Sequence, residues 1–127
     1  MSFKRSSMDV GLTPPIEYHP GKSAETIVLG EALTLTAGAL TKCAATAKPD
    51  YIAVGDVNAD GVVPVIKVQD YMVFEAPLSV AGTSLKVGNK VTLASDGLQV
   101  TATTDSGVAT IVAINGTAVG DTVAVRF

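Results

Sequence analysis

The residues of this chain whose types and spacing most clearly suggest a chemical function lie in the stretch DVNADG, residues 56–61. Asp56, Asn58 and Asp60 match the start of a calcium-binding loop, in which oxygens at alternate positions converge on one hard cation. The match then ends, because Lys67 occupies the position of the bidentate glutamate and a strand-like segment replaces the expected helix. Since Asp, Asn and Gly are also favoured in turns, we predict a hairpin turn here, with a metal site as the alternative.

Other side chains that could catalyse a reaction are few and scattered. The only histidine, His19, lies in a proline-containing segment, which suits a solvated or interface residue better than a preorganised catalytic site. Cys43 falls in a predicted strand, where a small buried apolar side chain is the expectation. No glycine-rich loop opens a helix to hold a nucleotide. We therefore predict no catalytic residues, no cofactor and a protein that is not an enzyme.

The composition predicts an all-β fold that positions these residues. The chain has 127 residues, of which 47% are hydrophobic and 17% charged, and a length of this order suits one domain. Valine and threonine supply 18 and 14 residues, and their β-branched side chains suit a pleated sheet better than a helix. Short alternating segments separated by Gly, Asp and Asn predict a small β-barrel or compact sandwich of about ten strands.

Charge and hydrophobicity along the chain argue against nucleic acid and membranes as partners. The net charge is −3 and the nine basic residues are scattered, whereas nucleic-acid binding needs clustered cations. No apolar run approaches the roughly 18 residues of a membrane span, and the N-terminus lacks the apolar stretch of a signal peptide. With a single cysteine as well, the sequence predicts a protein that matures in a reducing cytoplasm.

The chain divides into residues 1–23, an N-terminal arm with three of the six prolines, and residues 24–127, a single β domain. Proline fixes φ and removes a hydrogen-bond donor, so the arm is predicted to be extended and uncommitted to the core. Removal of residues 1–20 would then leave a folded body. The arm residues that we expect to bind a partner are Lys4, Arg5, Pro14, Pro15, Ile16 and Tyr18.

One sequence motif, an aliphatic residue and glycine followed by a polar residue, any residue and an aliphatic-x-aliphatic segment, occurs three times. The copies are LGEALTL (29–35), VGNKVTL (87–93) and VGDTVAV (119–125). We predict that its glycine turns the chain sharply into a strand. The segments starting at residues 29 and 87 also align at an offset of 58 with six identities in 18 positions. Both predict hairpins, either through an old duplication or because two hairpins meet one geometric requirement.

Further strand predictions follow from the same patterns. Asp96-Gly97 should form the turn of the second hairpin, and Gly88 and Gly97 should have backbone conformations that a side chain resists. Pro64 should lie in an edge strand or at a bulge, since it cannot donate to a sheet ladder. Residues 108–114 are apolar on both faces, which predicts a strand buried on both sides.

The order of these segments resembles that of phage capsid cement (head-decoration) proteins over most of residues 29–127. The matching segments are GEALTLTAGAL, VPVIKVQDYMVFEAPL, VGNKVTLASDGLQVTATT, VATIVAI and VGDTVAVRF. The resemblance implies a barrel-like protein that docks on the exterior of an icosahedral capsid, often as a trimer, and locks neighbouring major capsid proteins together. The proline-rich arm and the DVNADG turn depart from the simplest pattern of that family.

Two other functions stay open from the sequence. A different β-structured phage assembly component, such as a tail-tube, spike-base or fibre protein, would polymerise without capsid protein. An enzyme or metal-dependent binding module would be stabilised by its ligand, since a ligand bound only by the native state must raise the melting temperature.

Overall fold

A computed structural model describes residues 2–8, 15–23 and 25–127, which form ten strands and no helix. The strands are β1 (Lys4–Met8), β2 (Ile16–Pro20), β3 (Ala32–Thr36), β4 (Ala39–Lys42), β5 (Tyr51–Ala53), β6 (Val62–Lys67), β7 (Met72–Pro77), β8 (Lys90–Val91), β9 (Ala109–Ile114) and β10 (Thr122–Arg126). Sheet A has the order β1-β7-β10-β9-β8 and sheet B the order β2-β6-β5-β3-β4, and every strand pair is antiparallel. Neither sheet closes on itself, so the all-β prediction is confirmed in the form of a sandwich.

The main core lies between the two sheets. Phe74, Ile111 and Val123 of sheet A pack in one cluster with Ile52 and Ile66 of sheet B. The alternation of side chains along each strand places these residues on the inner faces. Burial of such large apolar side chains is the main stabilising contribution to the fold.

Sheet B also has a buried outer face. Leu33, Val63 and Val65 form a second cluster there, with Ile27 from the segment that precedes β3 covering them. All four side chains are at most 1% exposed. This second core explains why β6 is apolar on both faces, since a strand that is covered on both sides has no solvent face to alternate with.

The N-terminal segment belongs to both sheets. β1 pairs with β7 at the edge of sheet A, and β2 pairs with β6 at the edge of sheet B. The predicted extended conformation is therefore confirmed in the described part of residues 1–23. The expectation that this segment is uncommitted to the core is wrong, because Phe3 is 3% exposed within the main core. Pro20 is compatible with β2 because this strand lies at a sheet edge.

The prediction that Pro64 lies in an edge strand or at a bulge is wrong, because β6 lies between β2 and β5 and its register with both strands is regular. Its carbonyl oxygen accepts the N–H of Val54 at 2.9 Å. Within a strand the N and O of one residue point to the same side, so the nitrogen of Pro64 also faces β5. β5 ends at Ala53, one residue before this level. The missing donor therefore interrupts no regular pairing.

The strand predicted at residues 108–114 is confirmed as β9, but it is not buried on both faces. Ala109 and Ile111 are fully buried in the main core, whereas Ala113 is exposed. Among the described residues, no second buried cluster covers the outer face of this strand as one covers sheet B. The outer face of β9 is thus apolar although it is not fully buried.

Both predicted hairpins are present. The first joins β3 and β4 through Ala37 and Gly38. In the second, Leu93 and Val100 form an antiparallel bridge on either side of the Asp96-Gly97 turn. The second hairpin has only this isolated bridge, because the two-residue strand β8 that precedes it pairs with β9.

The sequence motif that occurs three times forms the same turn in each copy. Gly30, Gly88 and Gly120 have φ values of 85°, 96° and 88°. In each copy the residue after the glycine donates its N–H to the carbonyl two residues before the glycine, at 3.2, 3.0 and 3.0 Å respectively. A left-handed glycine at the third position is the requirement of a type II turn. The prediction that this glycine turns the chain into a strand is confirmed.

Candidate partner-binding surface

The DVNADG stretch forms the predicted turn. Asn58 Oδ1 accepts the N–H groups of Asp60 at 2.9 Å and Val62 at 3.0 Å, and Asp56 Oδ1 accepts the N–H of Leu29 at 2.8 Å. These are the roles that Asp and Asn have in turns. Within the part of the chain that the structure describes, no group of three His, Cys, Asp or Glu side chains is arranged to hold a metal ion.

Cys43 is buried, as predicted. Its thiol lies 3.1 Å from the carbonyl oxygen of Ala47. Burial raises the pKa of Cys43 to about 11, and the nearby charge of Asp50 adds to the effect. The sulfur is therefore protonated at neutral pH and is not the thiolate that nucleophilic catalysis needs.

A small polar cluster lies on the outer face of sheet B. Glu17 Oε1 is 3.1 Å from Nε2 of His19 and accepts the hydroxyl of Tyr51 at 3.3 Å. Burial raises the pKa of Tyr51, and the charge and hydrogen bond of Glu17 raise it further. The Glu17–Tyr51 hydrogen bond links β2 to β5 across β6. The sequence could not reveal it, because the contact depends on strand order.

A groove of about 440 Å³ opens between the sheets on the side of β1 and β2. Phe3, Lys4 and Arg5 contribute to one wall, while Ile16 and Val54 contribute to the other. Three of the residues predicted to bind a partner, at positions 4, 5 and 16, therefore meet at one place. Their role in binding stays a prediction.

At this groove the inner face of sheet B continues from buried side chains to exposed ones at its edge strand, β2. Ile16 pairs with Ile66, which pairs with Ile52, so the three side chains share one face. Ile52 and Ile66 are 2% and 6% exposed beneath sheet A, but Ile16 is 54% exposed. Tyr18, two residues further along β2, lies on the same face and is 66% exposed. An apolar surface thus continues from the core into solvent.

Positive charge borders this apolar surface. Arg5 pairs with Phe74, whose ring is fully buried between the sheets, so Arg5 lies on the face of sheet A that is directed toward sheet B. Lys4 pairs with Glu75 on the opposite face. Among the described residues that line the groove, Lys4 and Arg5 are cationic and none is a carboxylate.

Of the remaining predicted binding residues, Pro15 is exposed next to β2, and Pro14 lies outside the described residues.

The aliphatic residues of the repeated turns are also exposed. Leu29, Val87 and Val119 each precede the turn glycine and are 56%, 63% and 65% exposed. Sequence reasoning missed them, although their position in the phrase was the available signal. Leu29 lines the groove together with Ile16.

The other two sheet edges are less accessible. The Glu25 carboxylate accepts the N–H of Lys42 at 2.6 Å and the hydroxyl of Thr41 at 2.7 Å, and Lys22 N–H donates to Leu40 at 2.8 Å. These contacts cover β4, and β8 has only two residues. β1 and β2 are therefore the longest edges that pair on one side only within the described ranges.

No protein-family model matches this chain, and no match is found among curated proteins. The described residues contain no helix that is long and apolar enough to cross a membrane. What the protein binds must therefore be inferred from its own residues and surface.

Proposed function

We propose that the protein is a structural component of a phage virion, which binds the capsid exterior and cements neighbouring major capsid proteins. The observation that carries the proposal is the apolar face of β2, with Ile16 and Tyr18 more than half exposed beside a groove. Exposed apolar surface next to a concave site is typical of protein-binding surfaces. The order of segments along the chain, which resembles that of cement proteins, supports the capsid as the partner.

The repeated turns support the same function. They hold Leu29, Val87 and Val119 outward on backbone fixed by a left-handed glycine and a hydrogen bond. Rigid aliphatic contacts lose little conformational entropy on binding. A low share of charged residues, 17%, also keeps the desolvation cost small when the surface meets another protein.

Cementing requires contact with more than one subunit. Self-association, as a trimer, would present several copies of the surface to neighbouring capsid subunits and raise the effective affinity. The protein would be made in the bacterial cytoplasm and then reside on the outside of the capsid, with no cofactor, membrane or nucleic acid involved.

The test first looks for a major capsid protein gene beside the gene for this chain and then uses empty shells assembled from its product. Purified protein is incubated with the shells, and occupancy is measured by sedimentation and mass spectrometry. We expect saturable binding and shells that withstand a higher temperature before they dissociate. Shells that neither bind the protein nor gain stability would refute the proposal.

A second candidate is a tail-tube, spike-base or fibre component. The observation in its favour is the presence of two accessible strand edges, β1 and β2, in one molecule. Such edges can pair head to tail into open assemblies. Filaments or rings formed by the purified protein alone, seen by electron microscopy, would favour this function over cementing.

A further inference from the structure

We infer that Asn115 is a site of spontaneous covalent modification, at which the Asn115-Gly116 pair closes to a succinimide and then opens to aspartate or isoaspartate. The pair directly follows Ile114, the last residue of β9, and begins the loop that leads to β10. The inference rests on the chemistry of this loop and does not depend on the proposed function.

The reaction needs only the chain and water. The backbone nitrogen of Gly116 loses its proton to solvent and attacks Cγ of Asn115. An N–C bond forms, the bond from Cγ to Nδ2 breaks, and the leaving group takes up a proton and departs as ammonia. Water then adds to one of the two ring carbonyls and breaks its bond to the ring nitrogen. Opening at the side-chain carbonyl gives aspartate, and opening at the main-chain carbonyl gives isoaspartate.

The residue after the asparagine controls access to Cγ. Asparagine is a thermolabile residue, and a following glycine has no Cβ to crowd the attacking nitrogen. The chain has three asparagines, of which Asn58 is followed by Ala59 and Asn89 by Lys90. Only Asn115 precedes a glycine. The sequence therefore favours reaction at this position over the other two.

Hydrogen bonds restrain the other two asparagine side chains more strongly. Asn58 Oδ1 accepts two backbone N–H groups at 2.9 and 3.0 Å, and Asn89 Oδ1 accepts the N–H of Lys86 at 2.8 Å. Asn115 is exposed, and its Nδ2 donates to Thr122 Oγ1 at 3.3 Å. A bond of this length lies beyond the usual range and is weak. The amide of Asn115 can therefore turn its Cγ toward the next backbone nitrogen at little cost.

The fold itself requires the glycine. A Cβ at Gly116 would lie 2.6 Å from Cγ of Asp121 and still closer to one of its carboxylate oxygens. That carboxylate is held in place, because Asp121 Oδ2 accepts the N–H of Ala118 at 3.0 Å. Any other residue at this position would displace the turn. The reactive pair is thus maintained by the packing of the loop.

Modification changes the loop that carries Val119. Either product adds one negative charge at position 115, in the same loop as the carboxylate of Asp121, and like charges this close repel each other. Isoaspartate also lengthens the main chain by one carbon atom. Val119 is 65% exposed in this loop, so the new charge arises near an apolar surface. The modified protein should bind more tightly to an anion-exchange column.

The test follows the purified protein during incubation in mildly alkaline buffer made with water enriched in heavy oxygen. The heavy oxygen marks molecules that react during the incubation, and peptide mapping by mass spectrometry locates them. We expect Asn115 to react about tenfold faster than Asn58 or Asn89, since neither of these precedes a glycine. Both aspartate and isoaspartate should form. Faster reaction at either of the other asparagines, or aspartate without isoaspartate, would overturn the inference.

Two variants separate the contribution of the sequence from that of the structure. Asn115→Gln should abolish the modification, because glutamine must close a larger ring. Ala59→Gly gives Asn58 a following glycine, and Val57 precedes it as Ile114 precedes Asn115. In the folded variant Asn58 should still react more slowly, whereas in concentrated urea the two sites should react at similar rates. Equal rates in the folded variant would show that the contacts of the side chain do not select the site.

Discussion

The rings of Phe3 and Phe127 lie 5.7 Å apart, so the two ends of the described chain pack on each other inside the core. Phe127 also lies 5.8 Å from Phe74, which brings all three phenylalanines of the chain together. Aromatic pairs contribute about 0.5–1.5 kcal/mol beyond the burial of their area. The N-terminal segment is thus part of what holds the sandwich together.

We predict that Phe3→Ala lowers the free energy of unfolding by about 3–5 kcal/mol, because it leaves a cavity between the sheets. Urea unfolding followed by circular dichroism measures the change. Tyr18→Ala is the control, since Tyr18 is 66% exposed and its loss should cost less than about 0.5 kcal/mol. Equal stabilities of the two variants would contradict the placement of Phe3.

The same packing changes the outcome expected for truncation. The sequence predicted that a protein without residues 1–20 remains folded, but this deletion removes β1, β2 and Phe3 together. We now expect the truncated protein to unfold or aggregate. Single exposed residues, rather than truncation, are therefore the proper probes of binding by this segment.

Local features of the fold could be predicted from the sequence, but strand order could not. Gly88 and Gly97 have the positive φ values, 96° and 71°, that the pattern required, because a turn glycine is specified by its immediate neighbours. Whether Pro64 lies in an edge strand or a central strand depends on which strands lie beside β6, and the sequence does not show this. The groove could not be predicted either, because it depends on the pairing of Ile16 with Ile66. Strand order and strand register both involve segments that are far apart in sequence.

Gly97→Val should lower the free energy of unfolding by about 1–3 kcal/mol through backbone strain. Crowding adds to the cost, because a Cβ at Gly97 would lie 3.1 Å from Cγ of Glu31 and 3.2 Å from Cγ of Lys42. Gly88→Val separates the two effects, since Gly88 has a similar φ and no atom within 4 Å of the added Cβ. Thermal unfolding should rank Gly97→Val as the less stable variant. The reverse order would show that crowding at Gly97 is absent.

Ala37→Asn should stabilise the protein. Ala37 and Gly38 join β3 to β4 with φ values of 52° and 82°, the conformation of a type I′ turn. Alanine tolerates this left-handed conformation poorly, whereas Asn-Gly is the preferred sequence. We expect a gain of about 0.5–1 kcal/mol in the free energy of unfolding. Ala81→Asn, at an exposed loop position without positive φ, should have no comparable effect.

The last prediction concerns Glu31, whose side chain is buried next to the second hairpin. It is 2% exposed, and its Oε2 has no hydrogen-bond partner among the described residues. Burial raises its pKa above the ordinary value of 4.5. The N–H of Val28 and the charge of Lys42 oppose this rise, while the charges of Glu25 and Asp96 add to it.

Because the folded state holds this proton more tightly than the unfolded chain, the charged form of Glu31 costs stability at neutral pH. The cost disappears as the pH falls through the raised pKa toward 4.5. Glu31→Gln should therefore raise the free energy of unfolding by about 1 kcal/mol at pH 7, and the gain should vanish near pH 4.5.

Glu25 does not obscure this comparison. Burial alone would raise the pKa of Glu25, but the hydrogen bonds from Thr41 and Lys42 and the neighbouring lysines lower it below 4.5. The stability that Glu25 contributes is therefore lost only at more acidic pH. Urea midpoints of Glu31→Gln and of Glu75→Gln, a half-buried control in β7, are compared at both pH values. A gain for Glu31→Gln that is the same at pH 7 and pH 4.5 would show that the charge on Glu31 is not its cause.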